Sequence, residues 1–139
     1  MKNYNLSDFI DAGLQRRRRG IMLSISMYGV TPSKELVELF KRWRVEDIQV
    51  LVSTTDNCMC LKGKPIAPGS RYHEINIDRL IKDVLCYKGS VMSLLGKDLT
   101  KHVRYVLNGE VDMNNTAVFF HEDQIDEIPI QQRHQEVTL

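Results

Sequence analysis

The sequence predicts an α+β or small α/β domain: a mixed sheet with helices packed against it, a basic N-terminal helix and a polar C-terminal tail. Three observations carry this expectation. The chain has 139 residues, 42% hydrophobic and 27% charged, which fits one globular domain. Apolar residues alternate with period two in several short segments, as half-buried strands require. Between those segments, apolar residues recur at helical spacing, as helices docked by one face require. The expected division is a globular domain over residues 1–120, including a basic helix within 1–20, and an acidic, polar tail over 121–139.

The first helix is expected over residues 6–19. Ser7 caps it, Asp8 and Asp11 sit at the positive end of its dipole, and Leu6, Phe9, Ile10 and Leu14 form its apolar stripe. It closes on Arg16, Arg17, Arg18 and Arg19 before Gly20. In residues 21–30, Ile21, Leu23, Ile25 and Met27 point one way and Ser24 and Ser26 the other, so a strand follows and breaks at Gly29. Thr31-Pro32 reads as a helix start, with Thr31 as N-cap and Pro32 in the first turn. Leu36, Leu39, Phe40 and Trp43 give that helix its buried face, and Lys41, Arg42 and Arg44 its basic end.

Residues 48–54 form a second strand, and Thr55-Asp56-Asn57 has turn chemistry. Residues 58–61 return antiparallel. Gly63, Pro65, Pro68 and Gly69 mark residues 62–70 as a loop. Asn76 caps a helix with Ile77, Leu80, Ile81, Val84 and Leu85 on one face and Lys88-Gly89 at its end. A further helical turn or two spans residues 90–95 and stops at Gly96. Residues 97–120 admit two readings. A helix from Asp98 to Leu107 stopped by Gly109 is one. The other, carried forward for the second half, is a meander turning at Asn108-Gly109 and again at Asn114-Asn115. The strand–helix–strand start implies a right-handed parallel crossover.

The net charge of +1 hides an asymmetry. Residues 1–50 and residues 51–110 each hold nine Lys and Arg against six Asp and Glu, whereas residues 111–139 hold Arg133 against six acids. The body therefore attracts anions, and the acidic end either masks that attraction or keeps the protein soluble. Cys58, Cys60 and Cys86 are an odd set, unlike a secreted disulfide scaffold. Cys58 and Cys60 lie on one face of a strand. With His73 they match no common zinc module, so reduced, partly buried thiols are the expectation. No apolar run is long enough to span a membrane and no signal peptide opens the chain, which points to the cytoplasm.

Residues 21–41, IMLSISMYGVTPSKELVELFK, resemble the opening of the YeaO-like uncharacterised bacterial family. The likeness continues through the strand near residue 50, Ser70-Arg71, the helix near 77–85 and Gly96. Over residues 21–96 it implies an α/β fold and assigns no activity. The family's closing Cys-His-Arg element has no counterpart here. Within 90–109, the segment LLGKDLTKHVRYVLNG is similar to the helix-turn-helix of bacterial repressors. That likeness implies Thr100, Lys101 and Arg104 facing a major groove.

Nucleophile-elbow, zinc-protease, Walker and dinucleotide-binding motifs do not occur. The leading expectation is a small, non-enzymatic regulatory protein without cofactor or metal, bacterial or phage-encoded. It would engage an anionic partner, nucleic acid or an acidic protein surface, through Arg16, Arg17, Arg18, Arg19, Lys41, Arg42 and Arg44. One alternative is a phosphate-handling enzyme using Ser70, Arg71 and His73, with Glu74 beside them, near the 63–74 loop. Another is an adaptor or inhibitor of a host complex.

Overall fold

The computed structural model describes residues 20–71, 75–99 and 102–130. The expected N-terminal helix, the four arginines at 16–19, His73, Glu74, Thr100, Lys101 and residues 131–139 lie outside the described residues. Within them the chain forms β1 (Met22–Ser26), β2 (Gly29–Pro32), α1 (Lys34–Arg42), β3 (Val45–Ser53), β4 (Cys58–Pro65), α2 (Ile77–Val84), α3 (Lys88–Leu94), β5 (Val103–Asp112) and β6 (Ala117–Pro129).

The architecture is α+β. The six strands form one sheet in the order β2-β1-β5-β6-β4-β3, and every neighbouring pair is antiparallel. The expected mixed sheet and parallel crossover are therefore not formed. The reason lies at residues 27–33. A turn at Met27-Tyr28 splits the expected single strand into the β1–β2 hairpin, and β2 continues through Thr31 and Pro32. Ser33, not Thr31, caps α1: its Oγ accepts the Leu36 N–H at 3.2 Å. The same oxygen accepts the Met22 N–H at 3.0 Å and donates to the Gly20 carbonyl at 2.8 Å. One hydroxyl thus starts the helix and ties it to β1. α1 then carries the chain from β2 at one edge of the sheet to β3 at the other.

One face of the sheet carries the core. Leu36, Leu39 and Phe40 of α1, Ile77 and Ile81 of α2 and Met92 of α3 pack with Leu23, Ile25, Ile48, Met59, Leu61, Leu107, Val118 and Phe120 of the strands. Asn76 caps α2 as expected, accepting the Arg79 N–H at 3.1 Å. Lys88 and Gly89 open α3 rather than end α2. Gly96, at φ +75°, closes α3, and the next N–H, of Lys97, bonds the Met92 carbonyl at 2.8 Å.

Two further expectations are corrected in the second half. Residues 103–112 are strand, so neither the helix ending at Leu107 nor a recognition helix carrying Arg104 exists there. Asn108-Gly109 is not a turn but lies inside β5, at an irregularity where the ladder to β6 skips residues 121–124. Asn108 Nδ2 bonds the Gln124 carbonyl at 2.8 Å and Asp126 Oδ2 at 3.2 Å across that gap. Gly109 is required by close approach: a Cβ there would stand 2.7 Å from Val118 Cγ1 and 2.9 Å from Ile21 Cγ2. The chain turns instead at residues 113–116, where the Asn114-Asn115 reading placed its second turn. The polar segment from His121 to Pro129 is not a tail: it completes β6 and pairs with β5 as far as Val103.

Candidate binding surface

Two surfaces could receive a partner, and the strand register positions both. The first is the end of the molecule where α1 passes into β3. Lys41 and Arg42 close the last turn of α1 and are exposed, and their charge complements the helix dipole. Trp43 is the C-cap. It is half-buried, with its ring edge-on to Phe40 at 5.6 Å and 66°, so it is a core residue rather than a stacking platform. Arg44 has φ 53°, a left-handed conformation usually filled by glycine after a helix.

The Arg44 carbonyl accepts the Ile66 N–H at 3.1 Å, and Val45 pairs with Pro65. β4 thereby returns Lys64, opposite Asp47, to the end from which Arg44 leaves, with Lys62 two residues farther along opposite Gln49. Residues scattered over positions 41–64 become one cationic end: Lys41, Arg42, Arg44, Lys62 and Lys64. Glu46 and Asp47 are its only acids on β3. The Lys64–Glu46 contact is long, 3.7 Å, and solvent-exposed, so it neutralises little.

The second surface is the helix-free face of the sheet. Cys58, Cys60 and Lys62 on β4 stand opposite His121, Phe119 and Ala117 on β6 and beside Ser53, Leu51 and Gln49 on β3. Leu51, Cys58, Cys60, Ala117 and Phe119 floor a groove of about 610 Å³, with Lys62, Asn115 and Asp56 at its rim. Phe119 stacks on His121 at 6.4 Å, and His121 Nε2 lies 3.4 Å from Glu110 Oε2.

Both groove thiols are unpaired and nearly covered. Burial pushes both above the ordinary thiol value, against the lowering influence of the Phe120 backbone on Cys58 and of Lys62 on Cys60. They therefore line the groove as small apolar groups rather than as thiolates. Cys86 is exposed elsewhere, so the three cysteines do not converge. Among the described residues, no group of three or more His, Cys, Asp or Glu side chains is placed to hold a metal ion.

The phosphate loop reading changes shape. Gly63, Lys64 and Pro65 belong to β4, and the Gly63 N–H is used by the Thr116 carbonyl at 2.8 Å. The Ser70 N–H is likewise used, by the Ala67 carbonyl at 3.0 Å. These two amides are therefore not free for an anion. Ser70 and Arg71 are both exposed. Glu122, next to His121 on β6, holds Lys97 at 2.9 Å.

The groove was missed as a site in the sequence. Its only signal was the alternation of Cys58 with Cys60 and of Ala117 with Phe119 and His121, which becomes informative once β4 and β6 are known to be neighbours. The chain matches no protein-family model, no curated protein and no solved structure. No helix among the described residues is long and apolar enough to cross a membrane.

Proposed function

We propose that this is a small binding protein, not an enzyme, which engages an anionic partner (nucleic acid or an acidic protein surface) in a regulatory role. One observation carries the reading: the fold gathers Lys41, Arg42, Arg44, Lys62 and Lys64 at one end of the molecule. A cluster of this kind raises the local concentration of anions and gives salt-dependent affinity. The conformation of Arg44 supports it. A long cation stands where glycine would be free of the left-handed penalty of roughly 1–2 kcal/mol.

That detail supplies the test. Arg44→Gly removes the charge and relieves the backbone, so it separates binding from folding. Binding of the full chain to a generic duplex, a single strand and a polyglutamate peptide is measured against salt concentration. The expected result is affinity that falls with salt. It weakens several-fold in Arg44→Gly and further in Lys41→Glu/Arg42→Glu, while the melting temperature of Arg44→Gly holds or rises. Salt-insensitive binding, or equal affinity in all three proteins, rejects the reading. Whichever ligand shows the steeper loss identifies the partner class.

A further inference from the structure

Strand β3 is an edge of the sheet among the described residues, and it is nine residues long. The register shows which of its backbone groups face outward. The Gly63 N–H bonds Thr116 and the Glu122 N–H bonds the Asn57 carbonyl, so residues 57, 59, 61 and 63 turn toward β6. Cys58, Cys60 and Lys62 then exchange bonds with Ser53, Leu51 and Gln49. The N–H and C=O groups of Ile48, Val50 and Val52 therefore point away from the sheet.

An open edge is usually blocked by charge, proline or a bulge. Among the described residues the blocking devices sit at one end only. Glu46, Asp47 and the irregularity between Val45 and Asp47 protect the start, and Asp47 Oδ1 accepts the Ile48 N–H at 2.9 Å. From Gln49 to Ser53 nothing among the described residues blocks the edge. Leu51 is 42% exposed in the middle of it.

The sequence of this open stretch, Gln-Val-Leu-Val-Ser, is nearly palindromic in polarity. Read against itself antiparallel about Leu51, it sets leucine against leucine, valine against valine and Gln49 against Ser53. This register pairs the outward groups of Val50 with those of Val52 and leaves the Asp47 cap undisturbed. A register centred on Val50 would instead need the Ile48 N–H that Asp47 already holds. The charges agree with it. β3 starts at the cationic end and finishes at the turn carrying Asp56, with Asp123 following Glu122 beside it. An antiparallel twofold brings the cationic end of one copy to the acidic turn of the other, where Arg44, Lys62 and Lys64 outnumber Glu46 and Asp47.

We propose that β3 pairs with the β3 of a second copy of this chain, antiparallel about a twofold axis at Leu51, joining two six-stranded sheets edge to edge. The contact is isologous, and it brings the two helix-free grooves, each lined by its Leu51, together across the axis. It lies in the class below about 1,200 Å² that gives weak, reversible dimers. This inference does not depend on the anion-binding reading.

Sedimentation equilibrium of the full chain, from low micromolar to near-millimolar concentration and without any anionic ligand, tests it. The expected result is a monomer–dimer equilibrium. Leu51→Lys sets two ammonium groups face to face and weakens the association about tenfold or more. Val52→Pro removes an outward N–H, which an edge strand tolerates in the monomer, and also abolishes the dimer while circular dichroism stays unchanged. Met113→Lys, on an exposed turn, leaves the association as it was. A wild-type chain that remains monomeric throughout, or a dimer equally strong in Leu51→Lys and Val52→Pro, overturns the proposal.

Discussion

Two residues show how much a single side chain settles here. Gly109 lies in a strand, not at the tip of a hairpin, and Val118 of β6 and Ile21, just ahead of β1, leave no room for a Cβ there. Gly109→Ala puts a methyl group into Val118 and Ile21, and the expected loss is about 1–3 kcal/mol, read as a lower urea midpoint at unchanged slope. Asp112 holds the 113–116 turn. Its carboxylate accepts Asn115 Nδ2 at 2.7 Å and the backbone N–H groups of Asn114 at 3.1 Å and Asn115 at 3.3 Å. These bonds, the Asn115 side chain foremost, hold its carboxyl below the usual range. The stability this contributes is fully present above the ordinary carboxylate range and disappears as pH falls through the lowered value. Asp112→Ala is therefore expected to be less stable than the native chain at neutral pH. The gap closes in strong acid, as thermal melts across pH will show. The letters Asn-Gly could not reveal Gly109's role, since the same pair suits a turn and a tight crossing, and only the neighbours on β6 and β1 decide.

At the scale of elements, local chemistry was most readable where capping and burial agreed. α2 follows Asn76 as written, and the β3–β4 hairpin turns at residues 54–57 as the Thr-Asp-Asn run required. α1 was displaced by two residues because Thr31-Pro32 has the composition of a helix start, yet both residues pair with β1. Ser33 wins the cap because its hydroxyl serves β1 and α1 together. Ser33→Ala is expected to cost about 1–2 kcal/mol, whereas Thr31→Ala stays within roughly 0.5 kcal/mol, and denaturant melts of the two variants compare them directly. The split between β1 and β2 was hidden in the same way. Period two continues through Met27, and nothing in the segment marks the reversal except Gly29, one residue past the turn.

Across the whole molecule, the helix-plus-sheet class was readable from periodicity, but strand order was not. An all-antiparallel sheet with α1 spanning from edge to edge depends on which strands meet, and periodicity carries no record of that. The cationic end is the same kind of property. Lys62 and Lys64 looked like loop residues until β4 proved to run to Pro65, which sets Lys64 opposite Asp47 and Lys62 opposite Gln49, on the part of the sheet nearer Arg44. The segment after residue 120 looked like a polar tail because its alternation is weak. Ile125 and Ile128 nonetheless place one residue each on opposite faces of the sheet.

The strand order also has a kinetic meaning. β1–β2, β3–β4 and β5–β6 are neighbours in sequence and close short loops, but β1 must find β5 across α1, the β3–β4 hairpin, α2 and α3. Closing that long loop is entropically costly, and β1 is expected to dock on the downhill side of the folding barrier, after the β3–β4 and β5–β6 hairpins have formed their own contacts and met through β4 and β6. Leu23→Ala, in β1, should accordingly speed unfolding and leave the refolding rate almost unchanged, whereas Phe120→Leu, in β6, should slow refolding. Equal retardation of refolding by both would mean that the first-made strand is already in place at the barrier. Otherwise, the strand nearest the start of the described chain is the last to be captured, and until then the molecule is a half-built sheet with β5 open to any passing strand.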